Sequence, residues 1–153
     1  MYATLEDIKG AVAEDVLVYL VDDERERTIT EAGEARIGKA LVQAESEVNS
    51  YVALKYALPL ADVPEALKTA TTDIAVYRLF KRRGIRPGTA DEVVQTDYRN
   101  AVAWLRDIAS GKATLTASGG GQGGDDAALP VAGQAAKVTA AERVFSRDKL
   151  GGF

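Results

Sequence analysis

The 153-residue sequence contains no cysteine and no histidine. The first absence excludes disulfides, thiolate metal sites and thiol nucleophiles. The second removes His-based triads, histidine–metal sites and the usual proton shuttle near neutral pH. Catalysis would have to run on Asp, Glu, Lys, Tyr or Ser, and no constellation of these stands out, so the chain is expected not to be an enzyme and to need no cofactor. Long apolar runs are missing as well. Without a stretch of about eighteen apolar residues, no membrane span is expected. The opening MYATLEDIKG has neither the basic segment nor the apolar core of a secretion signal, so cytoplasmic synthesis is expected. No GxGxxG or GK[ST] phosphate loop occurs, and SGGGQGG stands in no strand-to-helix context. No internal repeat is evident.

What is present is an ordinary soluble composition, 46% hydrophobic and 27% charged, on a length that suits one domain and an appendage. The organising stretch is Ala35 to Leu60, ARIGKALVQAESEVNSYVALKYALPL. Apolar side chains recur at Ile37, Leu41, Ala44, Val48 and Tyr51, in the steps of four and three that place them on one helix face. Val52 and Leu54 widen that stripe into a core-facing one. Arg36, Lys39, Gln43, Glu47 and Asn49 fall on the opposite, water-suited face. Pro59 lacks an amide hydrogen and disfavours a helical Leu58, so the helix is expected to stop near Ala57.

Shorter helices flank this rod. Thr4 can cap one that carries Leu5, Ile8 and Val12, with Glu6 and Asp7 at its positive end. A second begins near Glu14. Together they form an expected helical cap over the rod. DDERERTIT, residues 22–30, is a charged loop. A calcium loop opening at Asp22 would need glycine sixth and glutamate twelfth, and Arg27 and Gly33 stand there instead, so a solvated turn is expected and no metal. Thr28 or Thr30 then caps the long helix. Beyond Pro59, Pro64 and Glu65 open a helix to about residue 83 with Leu67, Ala70, Ile74, Tyr77 and Phe80 on one face. Gly84 stops it. Thr89 and Glu92 have capping-box spacing, and a last helix runs to about Ser110 with Val94, Tyr98, Ala101, Leu105 and Ile108 repeating. The fold class expected is all-α: a small bundle around one long helix over residues 1–116.

From residue 117 to 153 the composition changes. Five glycines fall within six positions of SGGGQGG, and so little apolar surface cannot offset ordering entropy, which marks a linker. The chain then closes on ERVFSRDKLGGF. Val144, Phe145, Leu150 and Phe153, interleaved with Arg143, Arg147, Asp148 and Lys149, look like a docking peptide on a tether: exposed Phe anchors gain nothing unless a partner covers them.

Charge is uneven. Residues 1–34 hold ten acids against three bases, −7, and the remainder thirteen against sixteen, +3, giving the net −4. That polarity suits head-to-tail contact between copies. RLFKRRGIR places Arg78, Lys81, Arg82, Arg83 and Arg86 within nine residues. Such a cluster is the one feature that would support a DNA-binding or regulatory module. Against that alternative stand the acidic net charge, the lack of interleaved stacking aromatics and the helix C-terminus, whose dipole repels phosphate. Acidic groups of a neighbouring copy or partner are the expected contacts of these cations.

Three segments, EVNSYVALKYALPL (47–60), DIAVYRL (73–79) and YRNAVAWLRDIASG (98–111), resemble the phage Mu-like family of small head–tail connector proteins, and VFSRDKLGGF is similar to a tail ending in that family. The acidic loop departs from relatives, where glycines are frequent. The resemblance implies a structural virion protein at the head–tail neck, attached beneath the portal protein as a ring, with twelve copies as the family's usual number. It further implies that the ring extends the channel for DNA passing through without sequence-specific binding, and that it presents a surface to the next neck or tail component.

Overall fold

A computed structural model describes residues 1–86, 88–89 and 91–116. They form five α-helices and no strand: α1 Leu5–Ala11, α2 Glu14–Val21, α3 Glu31–Val52, α4 Glu65–Arg83 and α5 Asp91–Ser110. The all-α expectation holds for this body. Helices α3, α4 and α5 pack on one another, and α1 and α2 lie across α3 and α4. No helix of the described residues is long and apolar enough to cross a membrane.

Local chemistry sets the boundaries. Thr4 accepts from the Asp7 amide while the Asp7 carboxylate accepts from the Thr4 amide, a closed capping box at α1. Thr30, not Thr28, caps α3, accepting from Gly33 N at 3.2 Å. Gly33 has a packing reason as well: a Cβ there would lie 3.0 Å from Val21 Cγ2, so glycine lets the start of α3 reach the end of α2. Gly84 and Gly111 end α4 and α5 in left-handed geometry, φ 93° and 80°. At α5 the capping box is displaced. Thr89 Oγ1 accepts from Asp91 N at 3.2 Å and the Glu92 carboxylate from Gly88 N at 2.9 Å, so the helix starts at Asp91.

The core is one cluster, with Ile8, Leu17, Leu20, Ile37, Val48, Leu67, Ile74, Leu105 and Ile108 all fully buried. The α3 stripe is mostly as read: Ile37, Leu41, Ala44, Val48 and Val52 are buried, and Tyr51 is partly so. Its end differs. The helix stops at Val52, and Ala53 to Tyr56 curl back through bonds such as Lys55 N to Val52 O, 3.0 Å. The curl buries Tyr56, whose hydroxyl accepts from Leu115 N at 2.9 Å and holds the chain leaving α5. Leu54 consequently points to solvent and does not widen the stripe. The Leu58–Pro59 bond is cis.

Candidate functional site

Helix α2 has no basic residue in its last turn, so its terminal carbonyls need donors from elsewhere. Three arginines supply them. Arg36 Nη1 donates to Val21 O at 2.7 Å, Arg82 donates to Leu20 O, and Arg83 donates to Leu20 O and Asp22 O. The positive charges also oppose the negative end of the helix dipole. Asp23 then balances the cluster, lying 2.9 Å from Arg82, 3.0 Å from Arg83 and 3.2 Å from Arg36. Hydrogen bonding from Arg82, with the nearby guanidinium charges, holds the Asp23 carboxyl below the usual carboxylate range. Asp22 is held low chiefly by the Arg27 amide, 2.8 Å away. The acidic loop and the basic cluster are therefore joined within one chain.

The other cations of RLFKRRGIR are distributed as follows. Arg78 Nη2 donates to Glu47 Oε2 at 2.6 Å, and Tyr98 OH donates to Glu47 Oε1 at 3.1 Å. Tyr98 in turn stacks on Tyr77, centroids 4.1 Å apart. Burial first, and the bond to Glu47 second, push the Tyr98 hydroxyl up. Arg86 Nε lies 3.3 Å from Asp91, whose carboxyl is held low chiefly by the Arg86 amide. Lys81 is exposed and makes no ion pair among the described residues. Helical spacing puts Arg36 and Glu47 on the water-facing side of α3, yet both are half-buried and bridge to neighbouring elements. The bare C-terminus of α2 was the signal that could have found Arg36.

On the far side of Arg83 an open groove of about 650 Å³ runs between α2 and the first turns of α5, with Phe80 at its floor. Tyr19 and Val93 on its rims are 57% and 60% exposed, and the Arg83 guanidinium sits 5.4 Å over the Tyr19 ring. A smaller hollow of about 250 Å³ adjoins it, sharing Ala11, Phe80, Val94 and Asp97. Asp73 lines that hollow, and burial, then the charge of Asp97, push its carboxyl up. Among the described residues no three-residue group of metal-ligating type is gathered together. Arg143, Val144, Phe145, Arg147, Leu150 and Phe153, expected to form the docking tip, lie outside the described residues.

Residues 2–132 match the family described as Bacteriophage Mu, Gp36. The Mu-like prophage FluMu protein gp36 of Haemophilus influenzae is 31% identical over 120 residues, covering 78% of this chain and 77% of the relative. With the family match spanning residues 2–132 and the relative aligned over more than three quarters of both chains, this chain belongs to the bacteriophage Mu Gp36 family.

Proposed function

We propose that the chain is a structural component of the phage particle, a head–tail connector rather than an enzyme. The observation that carries this reading is membership of a phage family across residues 2–132, joined to the resemblance of segments 47–60, 73–79 and 98–111 to head–tail connectors. The body supports it. Five helices packed around one core make a self-contained unit suited to side-by-side repetition in a closed heterologous ring. Copies attach beneath the portal protein and extend the DNA channel at the neck, and the ring offers its free face to the next tail component. Twelve copies are proposed, as in the resembled connectors.

The charge pattern assigns roles to surfaces. Glu14, Asp15, Glu24, Glu26, Glu31 and Glu34 are exposed and make no ion pair among the described residues. A wall of such carboxylates would let DNA slide past without sticking. Lys81 and the exposed edges of Arg82 and Arg86 are the parts of the basic cluster left for a neighbouring copy. Segment 143–153 docks on the portal or a neighbour, and repetition around a ring turns modest contacts into firm attachment.

The test is reconstitution. Full-length protein mixed with purified portal rings should co-purify at a copy number matching the portal's symmetry, and residues 1–116 alone should not. Failure of the full chain to bind, together with salt-dependent binding of DNA by the free protein, would replace this reading with the nucleic-acid one.

A further inference from the structure

The groove between α2 and α5 is built for an apolar occupant that carries positive charge. Its walls offer Val16, Leu20, Phe80 and Val94, with Tyr19 and Val93 standing out from the rims. Asp15 and Asp97 line it, and Asp73 lines the adjoining hollow. None of these three carboxylates has an ion-pair partner among the described residues, although the other acids nearby, Asp23 and Asp91, are paired. Arg83 and Arg86 also line the groove but are tied to Asp23 and Asp91, so groove and hollow together set four carboxylates, Asp15, Asp73, Asp91 and Asp97, against two guanidinium groups beside exposed apolar surface. A second, hydrophobic helix would cover the rims but leave the carboxylates unmatched.

One segment of this chain has both properties. Residues 143–153, RVFSRDKLGGF, carry Arg143, Arg147 and Lys149 against Asp148 alone, a side-chain balance of +2, together with Val144, Phe145, Leu150 and Phe153. Reach also fits. The groove is at the N-terminal end of α5, and the described chain leaves from the opposite end, where Leu115 is tied to Tyr56. The twenty residues of α5 separate the two by about 30 Å at 1.5 Å per residue. Flexible-chain statistics give 26 residues, the length of 117–142, an end-to-end span of roughly 28 Å. Effective concentration is greatest when tether length and span agree.

We infer that in the free protein segment 143–153 rests in the α2–α5 groove of its own chain, Phe145 and Leu150 against Phe80, Tyr19 and Val93, and Arg143 and Arg147 beside Asp97 and Asp15. This rests on reading 143–153 as a docking tip, and it names where the tip is kept before assembly. It gives the apolar tip cover in the monomer, and release to the portal or a neighbour then exchanges one partner for another.

The chain has no cysteine, so Ser146→Cys accepts a single nitroxide on the full-length protein. Amide signals of Tyr19, Val93 and Asp97 should lose at least half their intensity through paramagnetic broadening. Val93→Glu and Asp97→Lys, both at exposed positions, should restore them. A mixture of nitroxide-labelled unenriched protein with unlabelled nitrogen-15 protein should show no such loss at the same total concentration. Broadening on another face, none at the groove, or loss only in the mixture would overturn the inference; the last would place the tip in a second copy. Portal attachment is scored separately. Full chain that binds portal without groove broadening sinks this inference alone, whereas residues 1–116 binding portal at full strength sinks the docking-tip reading.

Discussion

Replacing Glu47 by alanine should cost the fold about 2–3 kcal/mol, because one carboxylate joins three helices. Glu47 on α3 takes Arg78 of α4 at 2.6 Å and Tyr98 of α5 at 3.1 Å. The side chains of the ion pair are 33% exposed for Arg78 and 19% for Glu47. An exposed pair contributes about 0.2–1 kcal/mol, and removing one partner of a fully buried pair costs about 3–5 kcal/mol. This pair lies between those limits. Arg78 Nε is already buried with no hydrogen-bond partner, and after the substitution the guanidinium keeps only Gln43, at 3.5 Å. Tyr98 also loses its acceptor, a further contribution of about 0.5–1.5 kcal/mol within the total. Thermal unfolding followed by circular dichroism should show Tm lowered by about 8–12 °C for a domain of this size. The paired experiment is a double-mutant cycle with Arg78→Met, in which the charge and its partner leave together. A coupling of at least about 1 kcal/mol is expected. Additivity within about 0.3 kcal/mol would show that the bridge carries no stability and free Arg78 for an external partner.

Three further outcomes follow from the same structure. Gly38 lies inside α3 with open space where a Cβ would go, so Gly38→Ala should raise stability by about 0.5–1 kcal/mol in urea titrations. Ile74, fully buried on α4, should lose about 2–5 kcal/mol on truncation to alanine, read as a lowered urea midpoint at constant slope. Asp73→Asn should stabilise the protein at neutral pH and not at acid pH. The Asp73 carboxyl is pushed above its ordinary range in the fold, so its ionisation penalty is full above the folded pKa and disappears as pH falls below the unfolded one. Asp7, Asp22, Asp23 and Asp91 are shifted the other way; their stabilisation is present above the ordinary carboxylate range and is lost as pH falls through their folded values. The wild-type protein should therefore weaken on acidification even as the benefit of Asp73→Asn vanishes, and a benefit that persists at pH 3 would contradict the assignment.

The helices were legible because their signals are local. Thr4 with Asp7, the run from Ile37 to Val48, Pro64 and Gly84 each act within a turn or two, and each marks the element the structure shows. The misplaced features depend on residues distant in sequence. Helix α3 was expected to reach Ala57 on the strength of Pro59, but burying Tyr56 beneath Leu115, fifty-nine positions away, ends it at Val52. Arg36 and Glu47 have helical spacing that suits water, yet the open end of α2 and the position of Arg78 turn them inward. The basic cluster was recognised as a unit. Its pairing with Asp23 across fifty-nine residues was not, since charge counts along a sequence do not say which acids fold against which bases. The groove had no sequence signature, because its walls come from four separate helices.

The proposed ring, attached to the portal through segment 143–153, can be seen outright by electron cryomicroscopy of full-length protein bound to portal rings. One copy per portal subunit is expected, with helical bodies side by side around an open channel and density for Phe145, Leu150 and Phe153 seated in a neighbouring subunit or the portal. Bodies bound without any contact from that segment, or no ring at all, would contradict it.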